Sequence, residues 1–130
     1  MHIAHTTRNP ARAPGRRAAY GALAAVLLAA AIAMPIASGG GWWLLFVFIL
    51  GPDLALLLGI SSKIEQGRLH PRAVRLYNAL HSYWGPALLA VAAVVLPLGA
   101  LIGALAWAFH ISLDRRLGYG KRTPEGFQRT

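Results

Sequence analysis

Apolar residues come in four long blocks along this chain, separated by short polar or glycine-rich breaks. The first block covers about residues 18–37, and twenty residues at a rise of ~1.5 Å are enough to cross a bilayer core of ~30 Å. Ser38-Gly39-Gly40-Gly41 reads as a tight turn, after which Trp42-Trp43 open a second block at about 42–60 as interfacial anchors. Gly51-Pro52-Asp53 falls inside that block, where proline removes a backbone hydrogen bond and invites a kink or a broken helix. A polar loop from Ser61 to Arg75 follows. The apolar stretch beyond it is too long for one helix, and two spans at about 74–96 and 99–116 meeting at Pro97-Leu98-Gly99 fit it best. The pattern therefore predicts an all-α integral membrane bundle of four transmembrane helices in one domain, residues 17–117. A disordered basic tail, 1–16, precedes it. A cytoplasmic tail, 118–130, follows, turned across the membrane face by Gly118-Tyr119-Gly120. A cleaved signal peptide competes for the first block, because basic residues precede it and Ala37 and Ser38 follow, but its apolar run exceeds the usual ~7–15 residues.

Composition supports the membrane reading. Of 130 residues, 56% are hydrophobic and only 13% charged, against roughly 25% charged in soluble domains. The net charge of +9 does not point to nucleic acid, because the basic residues sit at the edges of apolar blocks rather than among aromatics on a polar face. They suit the bilayer and its anionic lipid headgroups. Arg8, Arg12, Arg16 and Arg17 precede the first span; Lys63, Arg68, Arg72 and Arg75 lie between the second and third; Arg115, Arg116, Lys121, Arg122 and Arg129 follow the fourth. The other two connections carry none. The positive-inside rule then places both termini in the cytoplasm and the protein in the inner (plasma) membrane.

With that topology, Asp53 lies about 12 Å, His81 about 9 Å and His110 about 7–8 Å inside the cytoplasmic boundary. Asp114 is one turn outward of His110. Three spans thus bring ionisable groups to one layer, on a face of the fourth span otherwise made of Gly99, Gly103 and Ala106. The chain has no cysteine, so a metal would be held by nitrogen and oxygen donors. Asp53, His81, His110 and Asp114 suit Zn²⁺, Mn²⁺ or Fe²⁺, and such an ion would neutralise two carboxylates that are costly in an apolar setting. Simpler roles compete. Asp53 can cap the half-helix after Pro52, the histidines can be hydrogen-bonded packing groups, and Asp114 can pair with Arg115 or Arg116 at the interface. The Gly99/Gly103 spacing also allows a homodimer seam, and His70 reads as a loop residue.

Taken in order, Trp42-Trp43, Gly51-Pro52-Asp53-Leu54, Tyr77-Asn78-Ala79-Leu80-His81-Ser82-Tyr83, His110 through Gly120 and Thr123-Pro124-Glu125-Gly126-Phe127 resemble a small bacterial integral membrane family, domain of unknown function 4260, over roughly residues 17–130. The resemblance implies a four-helix membrane protein and supplies no activity. Members often carry a glutamate early in the first span, where this chain has Tyr20, so any role of that acid is absent.

These residues lead to a metal-dependent membrane hydrolase acting on a lipid-like or otherwise amphipathic substrate. Asp53, His81, His110 and Asp114 serve as ligands or acid/base groups, Tyr77 and Asn78 support them, and Arg115 and Arg116 bind an anion. The competing class is a non-enzymatic membrane module, either a proton- or ion-handling carrier subunit or a structural partner, built on the same groups.

Overall fold

The structure is a computed structural model that describes residues 14–59 and 68–128. The expected disorder of residues 1–13 and most of the expected loop between the second and third spans lie outside the described residues. The described residues form five α-helices and one 3₁₀ segment: α1, Pro14–Ser38; α2, Trp42–Leu50; the 3₁₀ helix Gly51–Gly59; α3, Pro71–Leu80; α4, Trp84–Ala92; and α5, Gly99–Leu117. An isolated bridge between Arg122 and Gln128 is the only β pairing among them. One helix, α1, is long and apolar enough to cross a membrane. It starts within the segment expected to be a disordered tail, because Arg17 is tied to the far end of the chain by Nη2 donating to the Leu117 carbonyl at 2.9 Å.

Each interruption has a local cause. Gly39 and Gly41 take φ of +73° and +90°, a left-handed conformation that glycine adopts freely, so the chain reverses between α1 and α2. Pro52 carries no N–H, and its ring crowds the carbonyl four residues back. The chain after Leu50 therefore tightens into 3₁₀ geometry. The expected third span, 74–96, is not one helix: it divides into α3 and α4 at His81-Ser82-Tyr83. Pro86 is the reason, since it cannot donate to Ser82 and excludes that carbonyl from a continuous helix. The Gly85 N–H donates to the Ser82 carbonyl instead, at 3.3 Å.

The α1–α5 pair forms the largest interface, with α2 laid beside α5. Arg17 meets Leu117, and a side chain on Gly21 would press on Arg116, so α1 and α5 are antiparallel. Leu44 sits against Gly99 and Phe48 against Gly103, so α2 and α5 run parallel. One core unites Ala31, Leu45, Ile102 and Ala106; a second unites Ala55 of the 3₁₀ helix with Leu69, Ala73, Val74 and Tyr77 of α3 and its approach. The glycine ridge offered above as a homodimer seam is filled from within: added β-carbons at Gly99 and Gly103 would lie 2.8 Å from Leu44 and Phe48. These glycines admit α2.

Candidate metal centre

Four side chains from three parts of the fold converge. Asp53 comes from the 3₁₀ helix just after Pro52, His81 from the C-cap position that follows α3, and His110 and Asp114 from successive turns of α5. One ligand atom from each lies within 4.8 Å of all the others. His81 Nε2 is 3.3 Å from Asp53 Oδ1, 3.2 Å from Asp114 Oδ2 and 3.1 Å from His110 Nε2. His110 Nε2 is 3.5 Å from each of the same two carboxylate oxygens. Tetrahedral ligands at ~2.0–2.1 Å from an ion are ~3.3 Å apart. Five of the six edges of this N₂O₂ set therefore match a tetrahedral shell. Both histidines are buried, whereas the Asp114 side chain is 21% and the Asp53 side chain 49% exposed, so the cluster opens on the Asp53 side.

The hydrogen bonds around His81 fix its chemistry. Its Nδ1 lies 2.8 Å from the Tyr77 carbonyl, which can only accept, so Nδ1 carries the proton. In the neutral ring Nε2 is then a lone pair. That lone pair faces two carboxylate oxygens, which also only accept. With His81 neutral, His110 can bring at most one proton to these three acceptors, so the arrangement calls for positive charge, supplied either by a bound metal ion or by a protonated imidazole. Donation from the distal ring nitrogen to a backbone carbonyl is also the usual way a metal-binding histidine is oriented.

Among the expected supporting residues, Tyr77 is in place: besides its carbonyl, its ring stacks on His81 with centroids 3.9 Å apart and planes at 16°. Asn78 is not. Its side chain pairs with the backbone of Arg122 in both directions, Nδ2 to the Arg122 carbonyl at 2.9 Å and Oδ1 from the Arg122 N–H at 2.7 Å. It anchors the C-terminal segment rather than a ligand. Arg115 donates from Nη2 to the His81 carbonyl at 3.1 Å, holding the helix break. Arg116 turns to α1, where Gly21 leaves room for it, because two positions along a helix is ~200° of rotation from Asp114. Asp114 itself turns inward to the imidazoles, and its close charge contacts are with His81 and His110 rather than with Arg115 or Arg116. The carboxylate of Asp53 faces the histidines and caps no backbone N–H.

Three contributors have no strong sequence signal. His70, expected as a loop residue, caps α3: its Nδ1 accepts from the Arg72 N–H at 3.2 Å, with Pro71 in the first turn. Arg122 lies over the Tyr77 ring, 5.4 Å from its centroid. The segment beyond Gly118 folds back on the start of α3, with Leu69 N–H donating to the Gly126 carbonyl at 2.7 Å and Arg68 Nε to that of Glu125 at 2.6 Å.

The described residues therefore define an all-helical protein with a half-buried two-histidine, two-aspartate cluster of a kind that can hold a metal ion. The chain belongs to the family described as domain of unknown function 4260, whose model matches residues 22–130. No curated protein and no solved structure matches it.

Proposed function

We propose that this chain is a four-pass inner-membrane protein whose Asp53, His81, His110 and Asp114 bind one divalent ion, Zn²⁺, Mn²⁺ or Fe²⁺, and that it works as a metal-dependent hydrolase on a lipid-like substrate. The single observation that carries the metal reading is the convergence of three acceptors, the His81 lone pair and two carboxylate oxygens, at 3.2–3.3 Å separations from Nε2. The membrane reading draws on the surface. Trp43, Phe46, Leu50, Leu54, Leu57, Trp84, Leu88 and Val91 are exposed, a belt of apolar area that soluble monomers do not carry. The alternation of helix directions agrees with it, and α3 with α4 then forms one broken crossing.

Both termini are cytoplasmic in this reading. An ion held by two imidazoles and two carboxylates supplies an electrophile that activates water or polarises a carbonyl or phosphoryl oxygen. Catalysis needs an open position on the ion, which Asp53, the most exposed of the four, would supply by leaving it to take a proton from an entering water, with His81, His110 and Asp114 still holding the ion. Leu50 and Leu54, close to Asp53 in the chain, are both exposed, and such apolar surface favours a substrate with an apolar portion.

A second reading has its own observation. The two Nε2 atoms, 3.1 Å apart, are at hydrogen-bond distance, so the same groups can pass a proton along the pair in a carrier. Elemental analysis of the purified protein separates the two. Stoichiometric metal that is lost in both His110→Ala and Asp114→Ala supports the metal centre. A well-folded wild type that stays metal-free after incubation with each ion refutes the hydrolase and leaves the relay.

A further inference from the structure

The break between α3 and α4 opens a second feature that the metal cluster does not use. Three surface cavities lie beside it and share wall residues pairwise. One of about 180 Å³ is apolar, with Phe48, Pro52, Leu80 and Trp107 in its wall. A second, of about 520 Å³, meets it at Leu80 and Trp107 and is lined further on by Asn78, Ser82 and Lys121. A third, of about 440 Å³, shares Ser82, Trp84 and Lys121 with the second and ends on Tyr83 and Arg115. The trough thus grades from purely apolar to cationic.

Its charge is unbalanced. Among the described residues no carboxylate lies within 4.0 Å of Arg115 or Lys121, since the close carboxylate pairs all involve the two histidines. Arg115 is held in place by its bond to the His81 carbonyl, with guanidinium donors to spare. Trp84 is 76% exposed at the rim, an aromatic face open to a lipid chain. In the proposed orientation the cationic end lies at the cytoplasmic headgroup layer, beside the end of α5. The apolar end points inward along α2. Polarity and depth therefore run together as they do in a lipid.

We infer that this trough binds one anionic phospholipid, its phosphate between Arg115 and Lys121 and an acyl chain laid past Trp107 toward Phe48. The inference does not depend on the metal. Gly85 makes the trough possible, because any β-carbon there would run into the Trp107 ring, which is fixed by Nε1 donating to the Leu80 carbonyl at 2.7 Å.

Tryptophan quenching tests it. In a Trp42→Phe/Trp43→Phe background the remaining indoles, Trp84 and Trp107, both line the trough. The full chain is reconstituted into phosphatidylcholine vesicles carrying equal mole fractions of either brominated phosphatidylglycerol or brominated phosphatidylcholine. The anionic lipid is expected to quench at a several-fold lower mole fraction. Lys121→Gln should reduce that preference about fivefold, as expected for one cationic group near an anionic headgroup. Ser82→Phe, which fills the trough without changing charge, should abolish it. Equal quenching by the two lipids, or a preference that survives both variants, overturns the assignment. Displacement of the lipid by millimolar inorganic phosphate also overturns it, showing a soluble-phosphate site. Metal content measured on the same samples is expected to be unchanged in Lys121→Gln, so failure of the lipid site and failure of the metal centre are distinguishable.

Discussion

Asp53→Asn separates a metal centre from a hydrogen-bonded polar core by the sign of its effect on stability. The substitution keeps shape and removes one charge, and the carboxylate of Asp53 has no partners among the described residues beyond the two histidines. Without metal, the two carboxylate oxygens lie no more than 4.8 Å apart, and two unit charges at that spacing repel by about 3.5 kcal/mol at an effective dielectric of ~20. The Asp53 side chain is 49% exposed, so screening reduces this to about 1–2 kcal/mol. The asparagine amide can also donate to the His81 lone pair. In EDTA the variant should therefore be the more stable form by about 1–2 kcal/mol, a rise in Tm of roughly 3–10 °C for a chain of this size. An ion at a thousand times its Kd stabilises the wild type by about 4 kcal/mol. The variant, short of one ligand and one charge, gains little. The order of the two proteins should therefore reverse on adding metal, read as tryptophan-detected unfolding in neutral detergent with EDTA and with each of Zn²⁺, Mn²⁺ and Fe²⁺. If Asp53→Asn lowers Tm in EDTA and no ion raises that of the wild type, the carboxylate is an acceptor for a protonated imidazole and the metal centre is refuted.

Three further outcomes follow from particular contacts. Gly85→Ala places a methyl group in the Trp107 ring and should cost about 1–3 kcal/mol by overpacking, with a shift in tryptophan emission; an unchanged Tm would show that the ring is not held there. Asn78→Ala removes both bonds to the Arg122 backbone and should cost about 1–3 kcal/mol, with hydrogen exchange accelerated across residues 121–127 and no loss of bound metal. Exchange that stays slow would mean the segment is anchored elsewhere. Because the chain has no cysteine, single cysteines report topology directly: one at position 40 should label from outside the cell and one at position 65 only after permeabilisation, and the reverse would overturn the orientation and the depth argument built on it.

Much of the site was legible because the sequence carries its own ruler. Positive charges at block ends, read as a membrane boundary, put Asp53, His81 and His110 at a similar counted depth, and the fold brings the three together. The i, i+4 spacing that puts Asp114 beneath His110 is equally local. What counting along single helices does not reach is any contact set by how segments dock. Asn78 and Arg122 are 44 residues apart, and nothing in either neighbourhood announces the pairing. The Gly99/Gly103 ridge was visible as a close-packing surface, but whether α2 or another copy fills it depends on the parallel course of α2 along α5. The division between α3 and α4 has a local signal: Pro86 fixes a break four residues earlier, at Ser82, by the same rule that Pro52 invokes after α2.

That break is also what makes His81 a site residue. In an uninterrupted helix the His81 carbonyl would accept from the Gly85 N–H. Here Gly85 turns to Ser82, and the freed carbonyl accepts from Arg115 across the interface with α5. The Tyr77 carbonyl meanwhile accepts both the backbone N–H of His81, at 3.0 Å, and its Nδ1, at 2.8 Å. The imidazole is thus held at its distal nitrogen and by stacking on Tyr77, while its backbone is held from α5, and Nε2 is left facing the cluster. Asp53 is placed by the comparable interruption at Pro52, and Asp114 by the last turn of α5, which Gly118 closes at φ +91° with Tyr119 N–H donating to the Asp114 carbonyl at 2.8 Å. Three of the four groups therefore stand where helical hydrogen bonding is interrupted or ending, and their geometry is set by bonds that the interruptions release.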